Sequence, residues 1–302
     1  MNKRINFEKM NGLGNQIIVA DMRGHIDTMT SQAALHLAND SKTQFDQIMV
    51  IYDSPSHDYD YNMEIWNQDG TQAQSCGNGT RCVVEWLYQK TGQNDFTFNT
   101  KAGKLSSQRL DNGLVCVDMG EPKLQWQDIP TSKPLDDTLH VSLSCGPLND
   151  PVLVSMGNPH AVFFVENDVW TYPLEEYGPI LENDPLFLER CNITIAQIIS
   201  KTHICIRTWE RGAGLTKACG TAACATAISA VRRGLSARQV KVQVPGGILE
   251  IEWKNNNHVI MTGPTEFEFS GKLDPKTGAF EIIEDNNISQ NDISQDKLQD
   301  EA

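Results

Sequence analysis

The sequence predicts a mixed α/β protein of the α+β type. It is read as two pseudo-symmetric domains, each a curved, mostly antiparallel sheet wrapped around a central helix, with the active site in the cleft between them. Three observations lead there. First, the stretch Ser75-Cys76-Gly77-Asn78-Gly79-Thr80-Arg81-Cys82 has a counterpart in Ala218-Cys219-Gly220-Thr221-Ala222-Ala223-Cys224. The leading cysteines stand 143 positions apart (76 to 219), and each Cys-Gly step follows a predicted strand and opens a predicted helix. Second, the offset recurs in order along the chain. Gly14-Asn15 maps onto Gly157-Asn158, Trp66-Asn67 onto Trp209-Glu210 and Met119-Gly120 onto Thr262-Gly263, while Gly103-Lys104-Leu105 meets Gly247-Ile248-Leu249 with a slip of one. That period is too long for a solenoid and indicates two homologous halves. Third, residues 222–231 are Ala, Cys, Ile and Val with only Thr and Ser as polar members. A helix apolar all round must be buried all round, and a curved sheet is its natural container.

The elements follow in order. Residues 48–52 form a short apolar run and 61–67 alternate, so both read as strands. The loop 68–71 turns the chain towards Cys76, and Val83, Val84, Leu87 and Tyr88 mark one face of a helix over 80–90, ended by Thr91-Gly92. Strands are expected at 96–98, 104–110 and 114–119, with Asp111-Asn112-Gly113 as a hairpin turn. The second half repeats the plan: strands at 161–165 and 203–209, the helix at 222–231, then strands at 240–244, 248–253 and 258–261 with a turn at Asn255-Asn256-Asn257. Hairpins outnumber strand–helix–strand units, which sets the α+β type. The domains are expected at 1–120, with 264–283 a candidate to complete it, and at 121–263, the proline-bearing stretch 120–148 serving as the inter-domain region.

Composition narrows the function. At 302 residues, with 39% hydrophobic residues, the chain has enough apolar matter for two cores. The net charge is −14 and no Lys/Arg cluster occurs, so a nucleic-acid partner is not expected. From 281 to 302 there are seven acids and one lysine; 284–302 is expected to be an acidic disordered tail. The N-terminus carries no long apolar run or signal-cleavage pattern, and nothing approaches the ~20 apolar residues of a membrane span. The expectation is a cytoplasmic protein without a membrane partner, whose eight cysteines stay reduced.

Cys76 and Cys219 each precede a glycine at a helix mouth, where free N–H groups and the helix dipole favour a thiolate and cradle a carboxylate. Several readings compete for such a pair. Buried structural cysteines are one. Zinc is poorly supported, because five residues separate Cys76 from Cys82 and four separate Cys219 from Cys224, and the second member of each lies inside a helix. A disulfide across the cleft would be an oxidation artefact. A papain-like nucleophile could take His160 as partner but leaves the second cysteine without a role. Two thiols on opposite sides of one carboxylate cradle fit the inversion of a stereocentre: one takes a proton from one face, the other delivers one to the opposite face, and the pair titrates jointly.

At these residues the chain resembles the diaminopimelate epimerases, a family of cofactor-independent amino-acid epimerases. The resemblance rests on Gly12-Leu13-Gly14-Asn15, Phe45-Asp46-Gln47, Asn67-Gln68-Asp69-Gly70, Cys76-Gly77-Asn78-Gly79-Thr80-Arg81-Cys82, Met156-Gly157-Asn158-Pro159-His160, Glu210-Arg211-Gly212-Ala213-Gly214, Ala218-Cys219-Gly220-Thr221 and Pro245-Gly246-Gly247, in family order from about residue 4 to 271. It implies conversion of LL-2,6-diaminopimelate to the meso form in lysine and peptidoglycan precursor synthesis, by a homodimer without pyridoxal phosphate, other cofactor or metal. It implies Cys76 and Cys219 as the two catalytic bases, Gly77-Asn78 and Gly220-Thr221 as donors to the carboxylate at the reacting centre, Glu210 on the adjacent ammonium, and His160 close to the chemistry. Asn15, Gln47, Asn67, Asn158, Asn192 and Arg211 would bind the substrate. Four positions depart from the family's usual pattern: Asn11 for His, Gln16 for an acidic residue, Leu215 for Glu and Ala222 for Gly. The nearest rival is an isomerase of the same fold acting on histidine or a proline derivative; a thiol-based redox or metal-binding protein is the rival from another class.

Overall fold

The computed structural model describes residues 4–283, so the acidic tail expected at 284–302 lies outside the described residues. Two halves of one continuous sheet, matching in topology, organise the chain. In the first, neighbouring strands run Val115–Asp118, Gly103–Arg109, Asp95–Thr100, Tyr61–Asn67, Gln47–Asp53, Asn15–Asp21, Ile5–Gly12, Glu266–Leu273 and Phe280–Ile283. In the second they run Val259–Gly263, Gly247–Trp253, Gln239–Val244, His203–Glu210, Asn192–Ser200, Pro159–Val165 and Val152–Ser155. Parallel pairings fall at equivalent places: Asn15–Asp21 with Gln47–Asp53 and Tyr61–Asn67 with Asp95–Thr100 in one half, Pro159–Val165 with Asn192–Ser200 and His203–Glu210 with Gln239–Val244 in the other. All other pairings are antiparallel. The halves join where Val115–Asp118 pairs antiparallel with its own counterpart, Val259–Gly263, in a register that sets Val117 opposite Met261.

Four α-helices occur among the described residues: α1 (Ser31–Asn39), α2 (Gly77–Thr91), α3 (Leu174–Glu182) and α4 (Gly220–Arg232). The helix expected at 80–90 starts three residues earlier because Cys76 caps it, and it ends at Gly92 in the left-handed conformation, whose N–H donates to the Tyr88 carbonyl. Each sheet curls around its central helix. Ile17, Val19, Met49, Phe96, Phe98 and Val117 enclose α2. Val152, Val154, Ile204, Val242, Leu249 and Ile251 enclose α4, in which every residue from Ala222 to Ala230 is buried. Burying each of the larger aliphatic side chains contributes about 1.5–3 kcal/mol. Because both helices are held on most of their circumference, their N-termini are placed rigidly.

The sequence reading passed over α1 and α3, which are equivalent under the same offset (31 to 174, 39 to 182). Each closes the outer face of its sheet. In α1 only Ala33, Ala34 and Leu37 are buried, so its apolar signal is short. In α3, Gly178-Pro179 reads as a helix break. There the helix is pressed onto Trp209: a Cβ on Gly178 would stand 2.5 Å from the indole Cγ. The strands Ile5–Gly12, Asn15–Asp21, Val152–Ser155, Asn192–Ser200, Glu266–Leu273 and Phe280–Ile283 are also absent from the sequence-based expectation. The stretch 120–148 packs onto the second half: Ile129, Val141, Leu143 and Leu148 share a core with Phe163 and Leu174, and Lys123 forms a backbone bridge to Ser155. Among the described residues no helix is long and apolar enough to cross a membrane, and no group of three or more His, Cys, Asp or Glu side chains could hold a metal ion.

Candidate active site

The two helix mouths open towards each other. Asn78, in the first turn of α2, donates from Nδ2 to the Ala218 carbonyl just ahead of α4, at 3.4 Å. A Cβ on Gly77 would stand 2.5 Å from the Met261 methyl, and one on Gly220 would stand 2.9 Å from its sulfur and 3.2 Å from Asn78 Oδ1. Glycine is therefore required at both positions for the mouths to come this close. Cys76 is the N-cap of α2, and its Sγ accepts the Gly79 N–H at 3.2 Å and donates to Gln47 Oε1 at 3.5 Å. Cys219 is the N-cap of α4 and is buried; its Sγ lies 3.5 Å from Thr221 Oγ1, with no backbone cap bond from its side chain. All eight cysteines are free.

Strand ends bring the polar residues to these mouths. Gln47 starts its strand directly opposite Asn67, which ends the next one, and Asn15 opens the strand on the other side. Asn15 Nδ2 donates to Asp46 Oδ2 at 2.7 Å, and Asn67 Nδ2 donates to Thr71 Oγ1 at 3.1 Å. In the second half Asn158 precedes a strand, Asn192 begins one and Glu210 ends one, matching Asn15, Gln47 and Asn67 in place. Asn158 donates to Thr221 Oγ1 at 3.3 Å, and its Oδ1 lies 3.0 Å from His160 Nε2. His160 is fully buried and reaches Cys219 only through Asn158 and Thr221; its Nδ1 has no hydrogen-bond partner. Asn192 spends both polar atoms on main chain, donating to the Pro159 carbonyl and accepting the Arg211 N–H, each at 2.9 Å. It therefore shapes the loop that carries Arg211. Arg211 donates from Nη1 to the Glu189 carbonyl at 2.9 Å.

The electrostatics are those of a dry site. Burial is the main cause that pushes the Cys76 thiol up to about 11; Glu210 and Asp46 add to the rise, while the Gly79 N–H and the Arg81 guanidinium oppose it. Cys219 is raised well above the ordinary thiol range, first by burial and next by the Glu210 carboxylate, to which it donates a hydrogen bond. Glu210 is itself raised by burial, against donors from Thr216, at 2.5 Å, and Cys219. Burial, with a smaller contribution from Arg211, lowers His160 to about 3, so its ring is neutral.

The two cysteine-capped helix mouths, the Glu210 carboxylate beside Cys219 and the amide side chains at the strand ends all come from stretches that a family model matches. The model, described as diaminopimelate epimerase, matches residues 7–125 and 152–268. The chain belongs to the diaminopimelate epimerase family. Similar relatives include the diaminopimelate epimerases of Brucella canis, 58% identical over 277 residues (90% of this chain, 91% of that one), and of Brucella anthropi, 57% identical over 277 residues (90% and 92%). Among solved structures, the fold is shared with a phenazine biosynthesis protein of the PhzF family from Bacillus anthracis (TM-score 0.65, 18% identity, 90% of this chain and 99% of that one). A hydroxyproline epimerase from Agrobacterium vitis shares it too (TM-score 0.61, 12% identity, 94% of each chain).

Within the diaminopimelate epimerase frame, two departures have a common structural partner. Asn11 Nδ2 and Gln16 Nε2 both donate to Glu268 Oε1, at 3.3 and 2.9 Å. An acidic residue at 16 would face that carboxylate with like charge, whereas glutamine donates to it. Ala222 is buried in the first turn of α4, and Leu215 is 40% exposed; nothing in the structure explains the latter. Two residues at the site escaped the sequence reading. Asp46 sits inside the quoted Phe45-Asp46-Gln47 stretch, yet only Gln47 received a role; its carboxylate accepts Asn15 Nδ2, the Gln16 N–H and Gln68 Nε2. Thr216 holds Glu210, and nothing in the sequence signals that.

Proposed function

We propose that the chain epimerises LL-2,6-diaminopimelate to the meso isomer by a two-thiol proton exchange, in lysine and peptidoglycan precursor synthesis. The observation that carries this reading is the pair of cysteine N-caps on two helix mouths that meet across one narrow site. The substrate carboxylate at the reacting centre lies between the mouths and accepts N–H groups of Gly77-Asn78 and Gly220-Thr221, which stabilise the charge that grows on it when the α-proton leaves. Glu210 binds the adjacent ammonium. The thiolate of one cysteine takes the α-proton, the C–H electron pair stays with the carbon and its carboxylate, and the thiol of the other delivers its proton to the opposite face. The first cysteine ends as thiol and the second as thiolate, so charge and protons balance and the next turnover runs in the opposite sense or after proton exchange with water.

Substrate itself helps to ionise the site. Glu210 raises both thiols, and an ammonium seated on it cancels that effect where water is excluded. Asn158 orients Thr221 at the Cys219 mouth, and His160 acts on that mouth through Asn158. Asn15, Gln47, Asn67 and Arg211 receive the distal zwitterion, Arg211 suiting its carboxylate and the amide oxygens its ammonium, while Asn192 fixes the Arg211 loop. The protein is read as a cytoplasmic homodimer, following the family resemblance.

Incubation with LL-diaminopimelate in deuterated water tests the proposal. The expected result is deuterium at one α-carbon together with the meso isomer, both lost in Cys76→Ala and in Cys219→Ala. Full turnover in either alanine variant, or turnover of a monocarboxylic amino acid in place of diaminopimelate, overturns it.

A further inference from the structure

The loop that carries Glu210 and Arg211 is held from behind by a buried carboxylate. Glu182 ends α3, and its side chain is 6% exposed. Burying a carboxylate is costly unless donors converge on it, and here three do. Oε2 accepts the Trp209 indole N–H at 2.7 Å; Oε1 accepts the Gly212 N–H at 2.9 Å and Arg190 Nη1 at 3.1 Å. Trp209 and Gly212 bracket Glu210 and Arg211 in the chain, so one side chain grips the loop on both sides. The Arg211 N–H goes to Asn192 Oδ1 at 2.9 Å and the Ala213 N–H to the Glu210 carbonyl at 3.1 Å, which engages the N–H groups of residues 211–213 without exception. The Trp209 ring lies between Gly178 of α3 and Gly214, where a Cβ would stand 2.5 and 3.5 Å from it. The first half has no such grip. The offset places Asn39 where the second half has Glu182 (182 to 39), and Asn39 is exposed and donates to the Leu35 carbonyl of its own helix. The equivalent loop there is held by its own residues: Asp69 Oδ1 accepts the Thr71 N–H at 3.0 Å and its hydroxyl at 2.6 Å.

We propose that Glu182 is a positioning residue for the reaction: its carboxylate presets the Glu210–Arg211 loop, and through that loop the grip on both heads of the substrate. It acts through its neighbours and touches no substrate itself. All three of its side-chain partners are N–H donors, and a carboxylate answers them because it accepts at both oxygens and donates at neither. An amide of the same shape must turn its NH2 either towards the indole or towards Gly212 and Arg190, donor against donor in both orientations. The loop then yields at Gly212, which stands at φ 76° and lacks a side chain to wedge it, rather than at Trp209, which Gly178 and Gly214 enclose. Movement at Gly212 displaces Arg211 beside it, so the distal carboxylate of the substrate loses a partner that was in place before binding. The inference rests on the reading above that assigns Glu210 and Arg211 to the substrate, and it explains why α3 is pressed so tightly onto the second half.

The test compares Glu182→Gln, Trp209→Phe and the double variant with the parent, in steady-state epimerisation of diaminopimelate and in urea unfolding. In Glu182→Gln the KM rises about tenfold, the effect of one buried donor left facing another. Trp209→Phe removes the indole N–H, so in the double variant the glutamine turns its NH2 to that side and its oxygen to Gly212 and Arg190. Its KM is expected to fall back to within about threefold of that of Trp209→Phe alone. A carboxylate with a merely structural role would move the unfolding midpoint and leave KM where it was. A folded Glu182→Gln enzyme with a KM within about twofold of the parent therefore overturns the inference, and so does a double variant no better than Glu182→Gln. Amide hydrogen exchange in the substrate-free parent judges it without any variant: the Arg211 and Gly212 N–H groups are expected to exchange about a hundredfold more slowly than in an open loop, and open-loop rates overturn it. A parent protein that fails to epimerise diaminopimelate would instead remove the two-thiol reading, and the exchange rates would still judge the loop.

Discussion

Replacing Glu210 with glutamine separates two roles that the proposed mechanism gives its carboxylate. Oε1 accepts Thr216 Oγ1 at 2.5 Å, Cys219 donates to the same group, and its charge raises both thiols. Glutamine keeps the shape and an acceptor oxygen but removes the charge. Without a like charge beside it, each free-enzyme thiol ionises at a lower pH. The substrate ammonium, however, loses a charge-assisted bond of about 1.5–3 kcal/mol. At about 1.4 kcal/mol per tenfold, kcat/KM falls roughly 10- to 140-fold. The two measurements thus move in opposite directions: thiols easier to ionise, enzyme slower. The assays are alkylation of substrate-free protein across pH 8–12, which spans the raised Cys76 midpoint, and the initial rate of meso-isomer formation. Thiol midpoints that stay fixed or rise in Glu210→Gln would refute the electrostatic argument, and a kcat/KM within threefold of the parent would refute the ammonium site.

Two further outcomes follow from packing and burial. In Gly220→Ala the new methyl stands 2.9 Å from the Met261 sulfur and 3.2 Å from Asn78 Oδ1, so the helix mouths are pushed apart; the expected cost is about 1–3 kcal/mol in thermal or denaturant unfolding, with turnover lost more than tenfold. His160, lowered by burial from 6.5 to about 3, is neutral in the fold and protonated in the unfolded chain over that interval. Its depressed value gives stability that is present above pH 6.5 and lost as pH falls towards 3. Urea unfolding of His160→Gln is therefore expected to lose about 1–2 kcal/mol less than the parent between pH 6.5 and 5, and equal slopes would contradict that.

What could be read in the sequence was whatever repeats or is locally periodic. The cysteine loops, the alternating strand that ends at Asn67 and the all-apolar 222–231 segment each carry their own signal, and the shared offset tied them into two halves. The central helices followed because α4 has no polar face to expose. The outer helices did not. α1 is nine residues with three buried, and α3 contains a proline, so tertiary packing against the sheet overrides weak local preference. Candidate site residues were legible where they sit in repeated or family-like stretches; contacts that depend on reach carry no such signal. Asp46 and Thr216 act on Asn15 and Glu210 from neighbouring loops, and no spacing rule predicts a hydrogen bond between them. Asn192 shows the converse. Its position was legible, but both its polar atoms are engaged by backbone that folding brings from residues far along the chain.

The short ladder between Val115–Asp118 and Val259–Gly263 has a mechanical meaning. Two equivalent strands pair with each other, so the pseudo-twofold axis of the molecule passes through the Val117–Met261 pair. The Met261 side chain lies directly under Gly77 and Gly220, which puts both helix mouths next to that axis. A second contact between the halves lies close by: the Gly12–Asn15 turn meets the second half, with a Cβ on Gly246 falling 1.8 Å from the Leu13 carbonyl oxygen, and the same turn touches the α2 mouth, where a Cβ on Gly12 would stand 3.3 Å from that of Asn78. A rotation of one half on the other about this axis has a short lever arm at both mouths. A few degrees of rocking therefore displaces the two cysteine caps little.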